Sequence, residues 1–268
     1  MKRISGFSHE GGELLGCGDA ELYVECLGPR DAPVLLMLHG GFGSIEDFGP
    51  ICGELSRDYR LVGVDSRGHG RSTLGEAALS YARLRGDLEA LIARLGLESY
   101  AILGFSDGGI AAYRHAAARP AGLRGLVTIG SSWELSEEDR VYGMLKGMTP
   151  KLWKRLFPES VRRYEELQPG ADWPAFAERV LAMWRDLGPT GHPGASVKRI
   201  SLPFLAIRGE EDRLTSLESL ARLRTLNKKA MILNLPFADH AAFEEEPEIL
   251  VRMIRKYLSG RFAAAGVS

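Results

Sequence analysis

The chain has 268 residues, with 34 basic and 35 acidic side chains and a formal net charge of -1. That length can bury a substantial single core, and the balanced charge supplies no field that would draw nucleic acid or an anionic membrane surface, so a small-molecule substrate is the expected partner. Three cysteines, Cys17, Cys26 and Cys52, without Cys-x-x-Cys spacing argue against a disulfide framework or a structural zinc site and fit a reducing cytoplasm.

The first residues, Met1 to Gly6, begin with basic side chains, but no apolar leader core follows and no apolar stretch approaches membrane-spanning length. Neither secretion nor membrane insertion is expected. Residues 20–27 alternate in polarity and read as a strand in a hairpin with the segment around Leu14 and Leu15. Val34–Leu38 is a continuous apolar run, as a strand covered on both faces requires, followed by His39-Gly40-Gly41-Phe42-Gly43-Ser44. A helix is predicted over 45–57, a strand over 60–64 and a second helix over 81–95.

The run Tyr100-Ala101-Ile102-Leu103 leads into Gly104-Phe105-Ser106-Asp107-Gly108 and then the alanine-rich stretch 110–118, which Pro120 stops. Strand, sharp turn and helix with serine at the apex is the nucleophile-elbow pattern; glycines on either side let strand and helix approach closely. Leu123–Ile129 reads as the next strand. This alternation of strands and helices implies a parallel sheet covered on both faces.

Between 133 and 200 the alternation breaks. Six prolines cut this segment into short helical pieces, and it holds all four tryptophans, Trp133, Trp153, Trp173 and Trp184. We read it as a helical insertion, a cap over a core built from 1–132 and 201–268. The rhythm then resumes with a strand over 204–208, a helix over 216–226, a strand over 230–235 and a final helix over 247–258; the tail 263–268 is expected to fray.

A serine hydroxyl needs a general base within hydrogen-bond reach and a carboxylate to orient that base. On an open parallel sheet such groups gather beyond the carboxyl ends of the strands. His240, in the loop after the last strand, is the base candidate. His9 lies in the amino-terminal arm, His115 within the helix behind Ser106 and His192 in a Gly/Pro loop of the insertion. For the acid, Gly209-Glu210-Glu211-Asp212 follows a strand; Asp212 is preferred because the turn from Gly209 should carry the third residue back over the sheet edge. Glu210, Glu211 and, further off, Glu134 remain open. Backbone N–H groups should form an oxyanion hole. Asp107 supplies one; Gly41, with Phe42 as second choice, supplies the other. The Asp107 carboxylate is then free to cap a turn or to face the pocket and favour cationic substrates. Phe42, Trp133 and Met144 are the side chains expected to touch substrate, and most other apolar cap residues are expected to pack the cap.

Together His39-Gly40-Gly41, the run from Asp65 to Ser72 (Asp-Ser-Arg-Gly-His-Gly-Arg-Ser), Gly104–Gly108, Asp212 and His240 resemble the α/β-hydrolase superfamily over nearly the whole chain. The resemblance is to the serine-nucleophile branch with a helical cap, which contains esterases, serine haloperoxidase-like enzymes, lactonases and carbon–carbon bond hydrolases. It implies Asp212 as the acid through the Gly-x-x-Asp pattern, and structural roles for Arg67 and His69, with substrate contact by either as the lesser option. The elbow is similar to that of the valacyclovir hydrolase type, which points toward amino-acid esters. Relatives with aspartate at the elbow perform dehalogenation or epoxide opening, and serine sets those aside. The expected activity is cofactor-independent hydrolysis of a small to medium, partly apolar carboxylic ester. The alternatives are lactone opening, carbon–carbon cleavage, perhydrolysis or acyl transfer by the same triad, or a ligand sensor on a hydrolase scaffold. No metal-ligand spacing, P-loop or dinucleotide fingerprint is present, and nothing in the pattern specifies an oligomeric state.

Overall fold

Short apolar runs with no polar alternation can be satisfied only where both faces of a strand are covered. In the computed structural model, which describes residues 6–262, they form one eight-stranded sheet. The strands are β1 (Glu13–Cys17), β2 (Ala20–Leu27), β3 (Val34–Leu38), β4 (Arg60–Val64), β5 (Tyr100–Phe105), β6 (Leu123–Ile129), β7 (Phe204–Gly209) and β8 (Ala230–Leu235). Their spatial order is β1-β2-β4-β3-β5-β6-β7-β8. The β1–β2 hairpin and the β2–β4 pair are antiparallel; every other pairing is parallel. The expected alternation along β2 holds only at its start, because Leu22 to Glu25 are all buried. Leu22 and Val24 pack on one side of the sheet, while Tyr23 meets Phe7 of the arm on the other. The expected fraying of 263–268 and the basic residues at the start of the chain lie outside the described residues.

Helices α1 (Gly49–Leu55), α9 (Ala242–Glu245) and α10 (Pro247–Leu258) cover one face, where Ile51, Leu55, Leu250 and Ile254 meet Leu35, Met37, Leu103 and Val127. Helices α2 (Tyr81–Arg94), α3 (Asp107–Ala117) and α8 (Leu217–Leu226) cover the other, with Leu88, Leu91, Ala112 and Ala116 against Leu36, Ile102 and Leu126. Each large side chain so buried contributes roughly 1.5–3 kcal/mol. The single helix expected over 45–57 is instead a 3-10 turn, Ile45–Phe48, followed by α1. Pro50 lies at the first turn of α1; lacking an N–H, it fits a helix start but not a helix interior.

Four helices lie between β6 and β7: α4 (Arg140–Gly147), α5 (Pro150–Leu156), α6 (Pro158–Leu167) and α7 (Trp173–Trp184). Proline occupies the first turn of the last three, and the side chains of Asp139, Thr149 and Asp172 cap α4, α5 and α7. Val161, Tyr164, Phe176 and Val180 of α6 and α7 pack with Phe42, Tyr81, Leu84 and Ile110, so this segment sits above the loop after β3 and the start of α3. A 3-10 turn, Gly194–Arg199, leads back to β7. Arg67 is fully buried and paired with Asp87 (2.6 Å) and Asp19 (2.6 Å), which ties the loop after β4 to α2 and to the hairpin.

Candidate active site

Ser106 occupies a backbone with φ 48° and ψ −116°, between the last residue of β5 and the first of α3. A non-glycine residue in the positive-φ region is strained, and such strain persists only where the surroundings over-determine it. Here the Ser106 N–H donates to Ile129 O (2.9 Å), while its carbonyl accepts from Gly109 and Ile110 (3.0 Å each). A Cβ on Gly104 would stand 2.6 Å from the Gly109 backbone, and one on Gly108 would stand 2.2 Å from Leu38 O. Only glycines permit a turn this tight.

The structure brings His240 to this serine, with Nε2 3.0 Å from Oγ. On the other side of the ring, Nδ1 is 3.1 Å from Oδ2 of Asp212. A carboxylate can only accept, so Nδ1 carries the hydrogen and Nε2 presents its lone pair to the serine hydroxyl. Asp212 also accepts through Oδ1 from Leu214 N (2.8 Å) and Thr215 N (3.2 Å). Burial opposes its charge, but the bond to His240, His240's charge when protonated and those N–H groups hold its pKa below the ordinary carboxylate value. The other carboxylates stand elsewhere. Glu210 meets Asn234, Glu211 is exposed, and Glu134 accepts from Arg222 (2.6 Å) and Ser219 (3.2 Å) on α8.

Gly41 lines the cavity beside Ser106 and Asp107. A Cβ there would lie 2.5 Å from Asp107 Oδ2 and 2.5 Å from the Trp184 ring, so both groups close over this backbone. The Asp107 carboxylate caps no turn. Its oxygens accept from the Tyr81 hydroxyl and from Trp184 Nε1, each at 2.7 Å, joining α2, α3 and α7 at the cavity floor. Burial pushes its pKa up, against those two hydrogen bonds and His240. His192 also lines the floor, its pKa driven down to about 4 by burial.

The cavity has a volume of about 490 Å³. Its wall is apolar, formed by residues such as Ile110, Val141, Met144, Met148, Trp153 and Leu214. Trp133 does not lie on it. It is only 6% exposed, packs with the sheet and α8, and donates through Nε1 to Ser219 O (3.0 Å). Four residues past β6 the chain is still wedged between sheet and helix, and its neighbour Ser132 faces the cavity instead. Phe42 is likewise displaced from the wall. Its φ is 59°, and its ring packs among Trp153 (4.5 Å), Trp173 (5.0 Å) and Trp184 (5.1 Å), behind the lining. Among the residues that sequence reasoning missed at the site are Tyr81, Trp184 and His192; nothing in their local pattern marks them. Among the described residues no cluster of three His, Cys, Asp or Glu side chains is placed to hold a metal ion, and no helix is long and apolar enough to cross a membrane.

Over 262 residues, covering 86% of this chain and 93% of the relative, the chain is 25% identical to a bifunctional esterase/perhydrolase of Acinetobacter calcoaceticus. It is 26% identical over 254 residues to a pimeloyl acyl-carrier-protein methyl ester esterase of Yersinia enterocolitica, covering 87% and 96%. The crystal structure of a hydrolase from Pseudomonas aeruginosa shares the fold with a TM-score of 0.76 at 22% identity, covering 94% of this chain and 100% of that one. The Alpha/beta hydrolase family matches residues 35–253, from within β3 to within α10, and the chain therefore belongs to that family.

Proposed function

We propose that the chain is a serine hydrolase that cleaves a small to medium, partly apolar carboxylic ester through an acyl-enzyme. The observation that carries this reading is the hydrogen-bonded series Asp212, His240, Ser106 opening onto an apolar cavity. Ser106 Oγ attacks the ester carbonyl as His240 Nε2 takes its proton, and Asp212 steadies the imidazolium that forms. The negative oxygen of the tetrahedral intermediate is received by the N–H groups of Gly41 and Asp107, at about 3–4 kcal/mol per donor. His240 then protonates the departing alcohol. Water, deprotonated by the same nitrogen, releases the acid from Ser106. Helices α4 to α7 act as the cap, their apolar side chains excluding water from the reacting ester.

The relatives named as esterases support the ester as substrate. A fluorophosphonate probe tests the reading. It should label Ser106 in the wild type and leave Ser106→Ala unlabelled; a folded wild type that neither labels nor hydrolyses short acyl esters would sink it. A second reading, in which hydrogen peroxide replaces water in the second step, is favoured by the relative that is both esterase and perhydrolase. Peracid production from a short carboxylic acid and peroxide distinguishes it.

A further inference from the structure

His9 belongs to no strand or helix, yet its imidazole is fully buried between two carboxylates. Its Nε2 is 2.7 Å from Asp65 Oδ2 and its Nδ1 is 2.9 Å from Glu46 Oε1. Ionised carboxylates only accept, so both bonds are made only when each ring nitrogen carries a hydrogen, that is, when the ring is a cation. The arm is built to hold it there. The N–H groups of Ser8 (3.2 Å) and His9 (2.8 Å) donate to the Glu25 carboxylate, which also accepts from the Tyr23 hydroxyl. Phe7 is buried in the core beneath, and His9 itself keeps φ at 60°.

Each carboxylate leads somewhere. Asp65 also accepts from Ile45 N (3.0 Å) and Arg71 N (2.9 Å), and Ile45 opens the 3-10 turn directly after the loop that presents Gly41 and Phe42. Glu46 also accepts from Arg163 of α6, through Nε (2.8 Å) and Nη2 (2.5 Å). A second tie runs in parallel, with Ser160 Oγ of α6 donating to Phe42 O (3.1 Å). Charge therefore alternates along Asp65, His9, Glu46 and Arg163, from the end of β4 to α6, the helix packed against Phe42. Removing one proton from His9 would set a nitrogen lone pair against a carboxylate.

We propose that His9 is a positioning residue whose imidazolium, held between Asp65 and Glu46, clamps α6 to the loop presenting Gly41. The clamp stands by itself; its effect on catalysis rests on the reading of Ser106 as nucleophile.

Burial works against the charge on His9, but the Asp65 and Glu46 carboxylates outweigh it and raise the pKa above the ordinary histidine value. A raised folded-state pKa means the clamp is complete below the ordinary value and is lost as pH rises through the raised one. Other groups facing the cluster are Glu25 and Tyr23 on β2, Asp47 with Glu244 of α9 near it, His39, Arg71 and Arg163. Burial lowers the pKa of His39, whose Nε2 accepts from the Ser66 N–H while Nδ1 donates to Gly40 O, the pattern of a neutral ring. Asp47, pushed up to about 7 by burial, gains its charge as pH rises through that value, and a negative charge there favours retention of the His9 proton.

The test compares wild type, His9→Asn and Arg163→Gln by amide hydrogen exchange in α6 and in residues 45–48, from about pH 6 to 9 and corrected for intrinsic rates. Asparagine tolerates positive φ but cannot reach both carboxylates. Protection of α6 in the wild type should fall about tenfold or more as pH rises, the scale of one hydrogen-bonded charge. His9→Asn should show that lowered protection of α6 already at the acid end, with any residual pH dependence belonging to Asp47. Arg163→Gln, at an exposed side chain that leaves the core intact, should lose protection in α6 and keep it at 45–48. In fluorophosphonate labelling, His9→Asn should lower the limiting rate, whereas Arg163→Gln should weaken only the apparent binding of the probe. Wild-type exchange in α6 for either folded variant would overturn the clamp. An unlabelled Ser106 with the expected exchange pattern would overturn the hydrolase reading and leave the clamp standing.

Discussion

The floor and the roof of the cavity are made in opposite ways. At the floor, Ser106, Asp212 and His240 stand at the ends of three strands, in positions fixed by backbone hydrogen bonds and a strained turn. At the roof, α5 has no buried residue and α4 only Leu145, while Met144, Leu156 and Phe157 remain exposed along the cavity. Backbone geometry tolerates almost no change of residue, whereas an apolar wall tolerates many. On the proposed reading, chemistry is carried by the part that tolerates few substitutions and selectivity by the part that tolerates many.

The largest effect that would expose this division is at the apex. Ser106→Ala should reduce ester turnover on the order of 10⁵- to 10⁶-fold while α3 and the cap keep their circular dichroism. Asp212→Asn should cost about 10⁴-fold in kcat, because the wrong ring nitrogen is then favoured for the hydrogen. Since the folded-state pKa of Asp212 is lowered, its carboxylate stabilises the fold above the ordinary carboxylate range and loses that contribution as pH falls through the lowered value. Melting temperatures of wild type and Asp212→Asn should accordingly converge in acid.

Gly41→Ala probes the seam where floor meets roof. Its new methyl would displace both Asp107 and Trp184, and kcat should fall roughly 10²-fold, while a value within twofold of wild type would place the anion site elsewhere. The smallest effects separate two residues of the segment between β6 and β7. Met144→Ala should alter the preference between short and longer acyl chains by up to about tenfold without changing stability. Trp133→Phe should remove the bond to Ser219 at a cost of about 1 kcal/mol in unfolding free energy and leave acyl preference alone. The reverse pattern in these two variants would contradict the assignment of the cavity wall.

Most of the floor was legible in the sequence because its signals are local. Apolar runs of strand length, Gly104 to Gly108 around a serine, and a histidine shortly after the last strand each carry their meaning within a few residues. The roof was less so. Trp133 and Met144 are both large, apolar and near the start of the insertion, and only the packing of α8 decides that one enters the core while the other meets the cavity. Tyr81 and Trp184 reach Asp107 from α2 and α7, a meeting that no local spacing encodes. His9 was placed only in an arm, since its partners Glu46 and Asp65 are 37 and 56 residues away.

Ser106 and His240 are separated by 134 residues, and the strand before His240 forms the far edge of the sheet. Contacts of such long sequence separation are the slowest to form, and a chain made from its amino end acquires this edge last. During synthesis the elbow can be shaped while its base has yet to emerge, so the nascent protein holds a serine with no partner. On the proposed reading, activity would therefore report completion of the fold, since Ser106 lacks its base until β8 and the loop after it are docked.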